Sequence, residues 1–170
     1  MGFELYSRRE LLYPGKNFHY RMGFCPGFWD WLDSEFKNGQ IASVFMVYKE
    51  LSEFGDDLSD WVKKRPDHFL SIDDENTQKM YATVADHVMG MRLPKEAEKM
   101  RFLSGADPWL ISKAATTGYT IVTHEVLVPD NSQKIKIPNL CKNFGVPYIT
   151  SFDLLDTLGA KLIIDDSKKN

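Results

Sequence analysis

Phe28, Trp29, Leu32 and Phe36 recur at helical spacing, and Asn38-Gly39 stops the run, so residues 26–36 are predicted to form a helix. Upstream, residues 3–13 mix apolar and charged types as a first strand would, before the breaker Pro14-Gly15. Residues 41–44 read as a short strand. A helix carrying Val47, Glu50, Leu51 and Phe54 follows and ends at Gly55. Residues 56–64 predict another helix, with Asp56 as N-cap and Leu58, Trp61 and Val62 inside. Residues 69–72 read as extended. Asp73 or Asp74 then caps a long helix through Met89.

The second half is clearer. Residues 94–100 read as helical and Gly105 resets the chain. A helix over 107–117 has Pro108 in its first turn, turns Leu110, Ile111, Ala114 and Ala115 inward, and ends at Gly118. Residues 119–123 are β-branched and predict the plainest strand. A short helix over 139–144 closes at Gly145. Residues 146–149 read as a strand, with Pro147 pointing to an edge or a strand start. Ser151 is expected to cap a last helix through Leu158, ended by Gly159. Short strands alternating with helices imply an α/β fold, a parallel sheet covered on both faces, with ligands beyond the carboxyl ends of its strands.

Composition narrows the setting. With 43% hydrophobic residues, the 170-residue chain has enough apolar mass for one core, so residues 1–164 read as a single domain with a polar tail at 165–170. A net charge of −3 argues against a surface that grips nucleic acid all over. It leaves room for local basic patches at Lys63, Lys64 and Arg65 or at Lys134, Lys136 and Lys142, although each of these is also an ordinary solvated cation. Cys25 and Cys141 make neither a disulfide framework nor a four-cysteine zinc site. No apolar run reaches transmembrane length and no charged-then-apolar leader opens the chain, so the expectation is a cytoplasmic protein with no membrane partner.

Three acids are placed to carry chemistry. Glu125 follows the 119–123 strand, and Asp107 opens the preceding antiparallel helix, which brings both to one end of the sheet. Two carboxylates at one rim can hold a hard divalent cation. Asp107 equally suits a helix first turn, where its charge offsets the macrodipole, and spacing alone favours that reading. Glu50 lies just past a strand end, where an exposed helix glutamate is the commoner outcome. His124 could contact phosphate, although a half-exposed loop histidine is the simpler assignment. Trp29, Trp31, Trp61 and Trp109 could stack bases, but Trp29, Trp61 and Trp109 occupy core-facing positions.

The strings Phe102-Leu103-Ser104-Gly105-Ala106-Asp107-Pro108-Trp109-Leu110-Ile111 and Gly118-Tyr119-Thr120-Ile121-Val122-Thr123-His124-Glu125 resemble the PIN domain. Ile137-Pro138-Asn139-Leu140-Cys141 and Cys25-Pro26-Gly27-Phe28-Trp29-Asp30-Trp31-Leu32 narrow the resemblance to a PIN-like family of about this length, over nearly the whole chain from Lys16 onward. It implies a short parallel sheet flanked by helices on both faces, an acidic cluster binding Mg2+ or Mn2+, and hydrolysis of RNA. It also implies a toxin of a toxin–antitoxin pair, with an antitoxin protein as partner and a homodimer as a further option. By position, Glu50, Asp107 and Glu125 are the implied ligands, Thr123 orients their loop, and His124 stands beside them. One departure stands out. Where PIN-like chains end the first strand with Asp, the matching slot here is Arg8, a cation that cannot ligate a metal; Glu4 and Glu10 fall outside the register. The alternative is therefore a catalytically weakened RNA-binding or protein-interaction module.

Overall fold

A computed structural model describes residues 4–6, 22–23, 25–161 and 163, with 4–6 described by their backbone alone. The predicted strand within residues 3–13 is described as β1, Glu4–Tyr6. Arg8 and Glu10 lie outside the described residues, as does the 165–170 tail. Glu4, at the amino end of β1, faces Ile41 and Thr120 in register.

The remaining elements follow in chain order. They are α1 (Pro26–Lys37), β2 (Ile41–Val44), α2 (Phe45–Ser52), α3 (Asp57–Lys63), β3 (Phe69–Leu70), α4 (Glu75–Gly90), α5 (Glu96–Leu103) and α6 (Asp107–Thr117). After these come β4 (Thr120–Val122), α7 (Ile137–Phe144), β5 (Tyr148–Ile149) and α8 (Ser151–Thr157). Local chemistry explains several boundaries. The Asp56 carboxylate accepts the Ser59 N–H at 2.9 Å to open α3, and Asp74, rather than Asp73, accepts the Thr77 N–H at 2.9 Å to open α4. Gly118 and Gly145 close α6 and α7 in the left-handed conformation that glycine adopts without strain.

Two predicted starts are corrected. The last helix is capped by Thr150, not Ser151: Thr150 Oγ1 accepts the Asp153 N–H while Asp153 accepts the Thr150 N–H, a reciprocal capping box. Helix α7 begins at Ile137, two residues before the expected Asn139, because Pro138 fits a helix first turn, where no amide donor is required.

The five strands form one sheet in the order β3-β2-β1-β4-β5, every neighbouring pair parallel. The fold is thus α/β, mostly helical with short parallel strands. All four residues of β2 are buried although alternate side chains point to opposite faces, so the sheet is covered on both sides. From β1 the chain builds outward through β2 and β3, then returns to place β4 on the other side of β1. The order therefore reverses between β1 and β4, and crevices at such reversals, outside the carboxyl ends, are where open α/β sheets bind ligands. Phe28, Leu32, Leu51, Leu110, Ile111, Ile121 and Leu140 fill the core. Helix α4 packs most extensively on α6, where Tyr81 stacks on Trp109 at 3.8 Å and Lys113 reaches Asp74 at 2.7 Å. Trp29 is buried edge-on to Trp61, so these indoles pack rather than present faces to a ligand. Among the described residues, no helix is long and apolar enough to cross a membrane.

Candidate functional site

Strand β4 runs out at Val122 into Thr123-His124-Glu125. Thr123 is buried; its N–H donates to Ile149 at 2.8 Å, extending the pairing with β5, and its Oγ1 accepts the Glu125 N–H at 3.1 Å. The hydroxyl thereby turns the chain out of the sheet and sets where Glu125 starts. One Glu125 oxygen accepts from Lys136 Nζ at 2.7 Å, and the other accepts the Ile137 N–H at 2.9 Å. Helix α7 has no side-chain cap of its own, so Glu125 caps it from twelve residues upstream and offsets its dipole.

Glu50 does comparable work on α2. Its Oε1 accepts the Ala106 N–H at 3.0 Å, fixing the turn from which Asp107 begins α6. Ala106 supplies no side-chain cap, so this start too depends on a distant carboxylate. Gly105 lies alongside: a Cβ there would meet Glu50 Oε1 at 3.6 Å and the Phe102 carbonyl at 3.5 Å, ordinary contacts in an ordinary backbone conformation. Asp107 occupies the first turn of α6, the place where a negative charge stabilises a helix.

Arg101, in the last turn of α5, pairs with Glu98 and lies within electrostatic reach of Asp107 and Glu125. Its guanidinium makes two 2.7 Å hydrogen bonds to Glu98. That pairing raises the Arg101 pKa against the opposing effect of burial, and the charges of Asp107 and Glu125 raise it further. The Arg101 pairing likewise holds the Glu98 carboxyl below its usual range, against burial, with help from the Ile135 N–H and the Lys134 charge. Asp107 and Glu125 thus lie on the same side of the molecule as the Arg101–Glu98 pair, and Glu125 is itself paired with Lys136. Sequence reasoning missed Glu98 and Arg101. Their i, i+3 spacing on α5 was the only available signal, and it is common on exposed helices.

His124 points elsewhere: its Nε2 hydrogen-bonds Ser151 Oγ at the start of α8, and its ring meets Phe152 edge-on at 5.6 Å. Among the described residues, no three His, Cys, Asp or Glu side chains are grouped as metal ligands. The donor chemistry nonetheless suits a hard divalent cation. Glu50, Asp107 and Glu125 are all carboxylates, and an oxygen that accepts one N–H retains a lone pair for a metal. Lys136 is the competitor, because it already neutralises Glu125.

Neither a curated protein nor a solved structure matches the chain. A family model described as Domain of unknown function (DUF4411) matches residues 10–162, far more than half of the sequence and all of the cluster just described. The protein belongs to the DUF4411 family.

Proposed function

We propose that the protein is a metal-dependent endoribonuclease of PIN type, acting as the toxin of a toxin–antitoxin pair. The observation that carries this reading is the placement of Glu125 just past the carboxyl end of β4 and of Asp107 at the start of the helix that feeds β4, beside the point where the sheet order reverses. The resemblance of the 102–111 and 118–125 strings to PIN domains supports it, as does the parallel sheet covered on both faces. Asp107 and Glu125 would hold Mg2+ or Mn2+, with Glu50 as the third acid. When bound, the cation supplies an activated water and offsets charge on the leaving oxygen as a phosphodiester is hydrolysed. The chain's own contribution is placement. Glu50 fixes the turn before Asp107, Thr123 aims Glu125, and Lys136 balances Glu125 in the absence of a cation. RNA is the substrate on this reading, with an antitoxin protein and a second copy of the chain as partners.

A catalytically weakened RNA-binding or protein-interaction module is the second reading. It is favoured by the engagement of both Glu125 oxygens by Lys136 and Ile137, and by Arg8 in the sequence slot of a ligand. The deciding experiment is Mn2+ titration calorimetry beside a Mn2+-dependent cleavage assay on single-stranded RNA, for the unmodified chain and Asp107→Asn. Metal binding and cleavage that both fall in Asp107→Asn support the nuclease. A folded, unmodified chain that neither binds Mn2+ nor cleaves RNA returns the decision to the module.

A further inference from the structure

A cleft of about 590 Å3 opens beside the acidic cluster. Its walls are the end of α4 with the turn after it, the 127–136 segment, and α7. In a chain of net charge −3, Arg92, Lys134, Lys136 and Lys142 line this one cleft, against Asp130 as its acid. The three lysines come from one stretch of sequence but from different elements: Lys134 and Lys136 precede α7, and Lys142 sits in its last turn. The wall they stand on is built. Asn139 accepts the Val128 N–H at 3.1 Å and donates to the Val128 carbonyl at 2.8 Å, pinning the segment to α7. The half-exposed Leu93 and Leu127 add apolar surface between the charges. Lys136 belongs to both places, lining the cleft and bonding Glu125, so the cleft is continuous with the acidic edge.

Clustered cations, apolar side chains between them and an open path are what a phosphate backbone with unstacked bases needs. We propose that this cleft holds a single-stranded polynucleotide by its phosphates and leads it to the edge at Asp107 and Glu125. The proposal rests on the nuclease reading for what happens at that edge, but not for the binding itself.

The test is fluorescence anisotropy of a labelled 12-nucleotide single-stranded RNA with EDTA present, so that binding is read without cleavage. Lys134→Gln combined with Lys142→Gln removes two exposed charges and leaves the Lys136–Glu125 bond intact. Lys63→Gln combined with Lys64→Gln makes the same charge change on α3 and its cap, away from the cleft. The cleft pair is expected to weaken binding on the order of tenfold and to flatten the slope of log affinity against log salt by about 1.4, since each lost single-strand phosphate contact removes about 0.7. The α3 pair is expected to bind as the unmodified chain does. Equal losses in the two pairs, or no binding by the unmodified chain at low salt, would overturn the cleft. A DNA 12-mer of the same sequence separates the sources: weaker binding identifies RNA, and equal or tighter binding overturns RNA as the preferred occupant. Binding through the cleft without Mn2+-dependent cleavage would leave the cleft standing while the nuclease reading falls.

Discussion

Replacing Lys136 by Met keeps most of the side-chain stem and deletes the ammonium 2.7 Å from Glu125. Two effects of opposite sign should follow. Without metal, Glu125 loses a charged donor in a pair whose side chains are 12% and 24% exposed. Charge-assisted hydrogen bonds contribute about 1.5–3 kcal/mol and exposed pairs about 0.2–1, so a half-shielded pair should contribute about 1–2 kcal/mol. For a chain of this size that lowers Tm by roughly 2–8 °C. With metal the sign reverses. A unit charge about 4 Å from an ammonium is repelled by about 1 kcal/mol in a water-like medium, so a divalent ion is repelled by about 2, and more where water is excluded. Removing that repulsion should tighten Mn2+ binding by at least about tenfold. Thermal melts in EDTA and Mn2+ calorimetry read the two effects separately, with Lys142→Met as the control for net charge. A folded Lys136→Met protein whose Mn2+ affinity is unchanged or weaker would show that no cation sits at Glu125, and would remove Glu125 from the ligand set.

Three further outcomes are expected. Glu50→Ala strips the Ala106 N–H of its acceptor and should cost about 1–3 kcal/mol in urea unfolding, whereas Glu50→Gln keeps an acceptor and should cost less than half as much; equal losses would mean that the Ala106 bond is unimportant. Asp74, held down to about 2 first by the Lys113 hydrogen bond and then by the Thr77 amide, has a folded pKa below its unfolded one. Its stabilisation is therefore present above about pH 4 and lost as pH falls towards 2, so the Tm gap between the unmodified chain and Asp74→Ala should narrow over that window; a constant gap would refute the charge contribution. Burial pushes the Cys141 thiol up to about 12, so it should resist iodoacetamide at pH 8 until the protein is unfolded, and rapid native alkylation at Cys141 would contradict its placement in the core.

Much of the fold was legible because its signals are local. The spacing of Phe28, Trp29, Leu32 and Phe36 marked α1, Asp56 marked the start of α3, and Gly118 marked the end of α6. One error arose where two adjacent residues compete for one role, the other where a proline was not read as part of a helix first turn. Thr150 and Ser151 both carry a cap hydroxyl, and only the reciprocal bond with Asp153 settles the choice. The charged cluster was half legible. Glu50, Asp107 and Glu125 could be singled out because strand ends and helix starts are visible in the chain. The partners that give them meaning were not visible. Ala106 lies 56 residues from Glu50, Lys136 lies 11 from Glu125, and Arg101 on α5 feels Asp107 on α6 and Glu125 beyond β4. No periodicity encodes such pairings, which exist only once the sheet and its helices have closed.

The same long-range bonds bear on how the acids should be probed. Glu50 and Glu125 each accept the backbone amide of a helix start that has no side-chain cap of its own. Removing either loosens α6 or α7, and both helices frame the edge where chemistry is proposed. Loss of activity in an alanine variant of Glu50 or Glu125 therefore cannot distinguish a lost ligand from a displaced helix. At Asp107, in the first turn of α6, the helix-dipole contribution is about 0.3–1 kcal/mol, a small part of the stability of such a domain. Asparagine there keeps shape and removes charge. Glutamine at Glu50 and at Glu125 likewise keeps an acceptor for the helix amide, so the metal reading should be judged on Asp107→Asn, Glu50→Gln and Glu125→Gln together, each interpreted alongside its own melt.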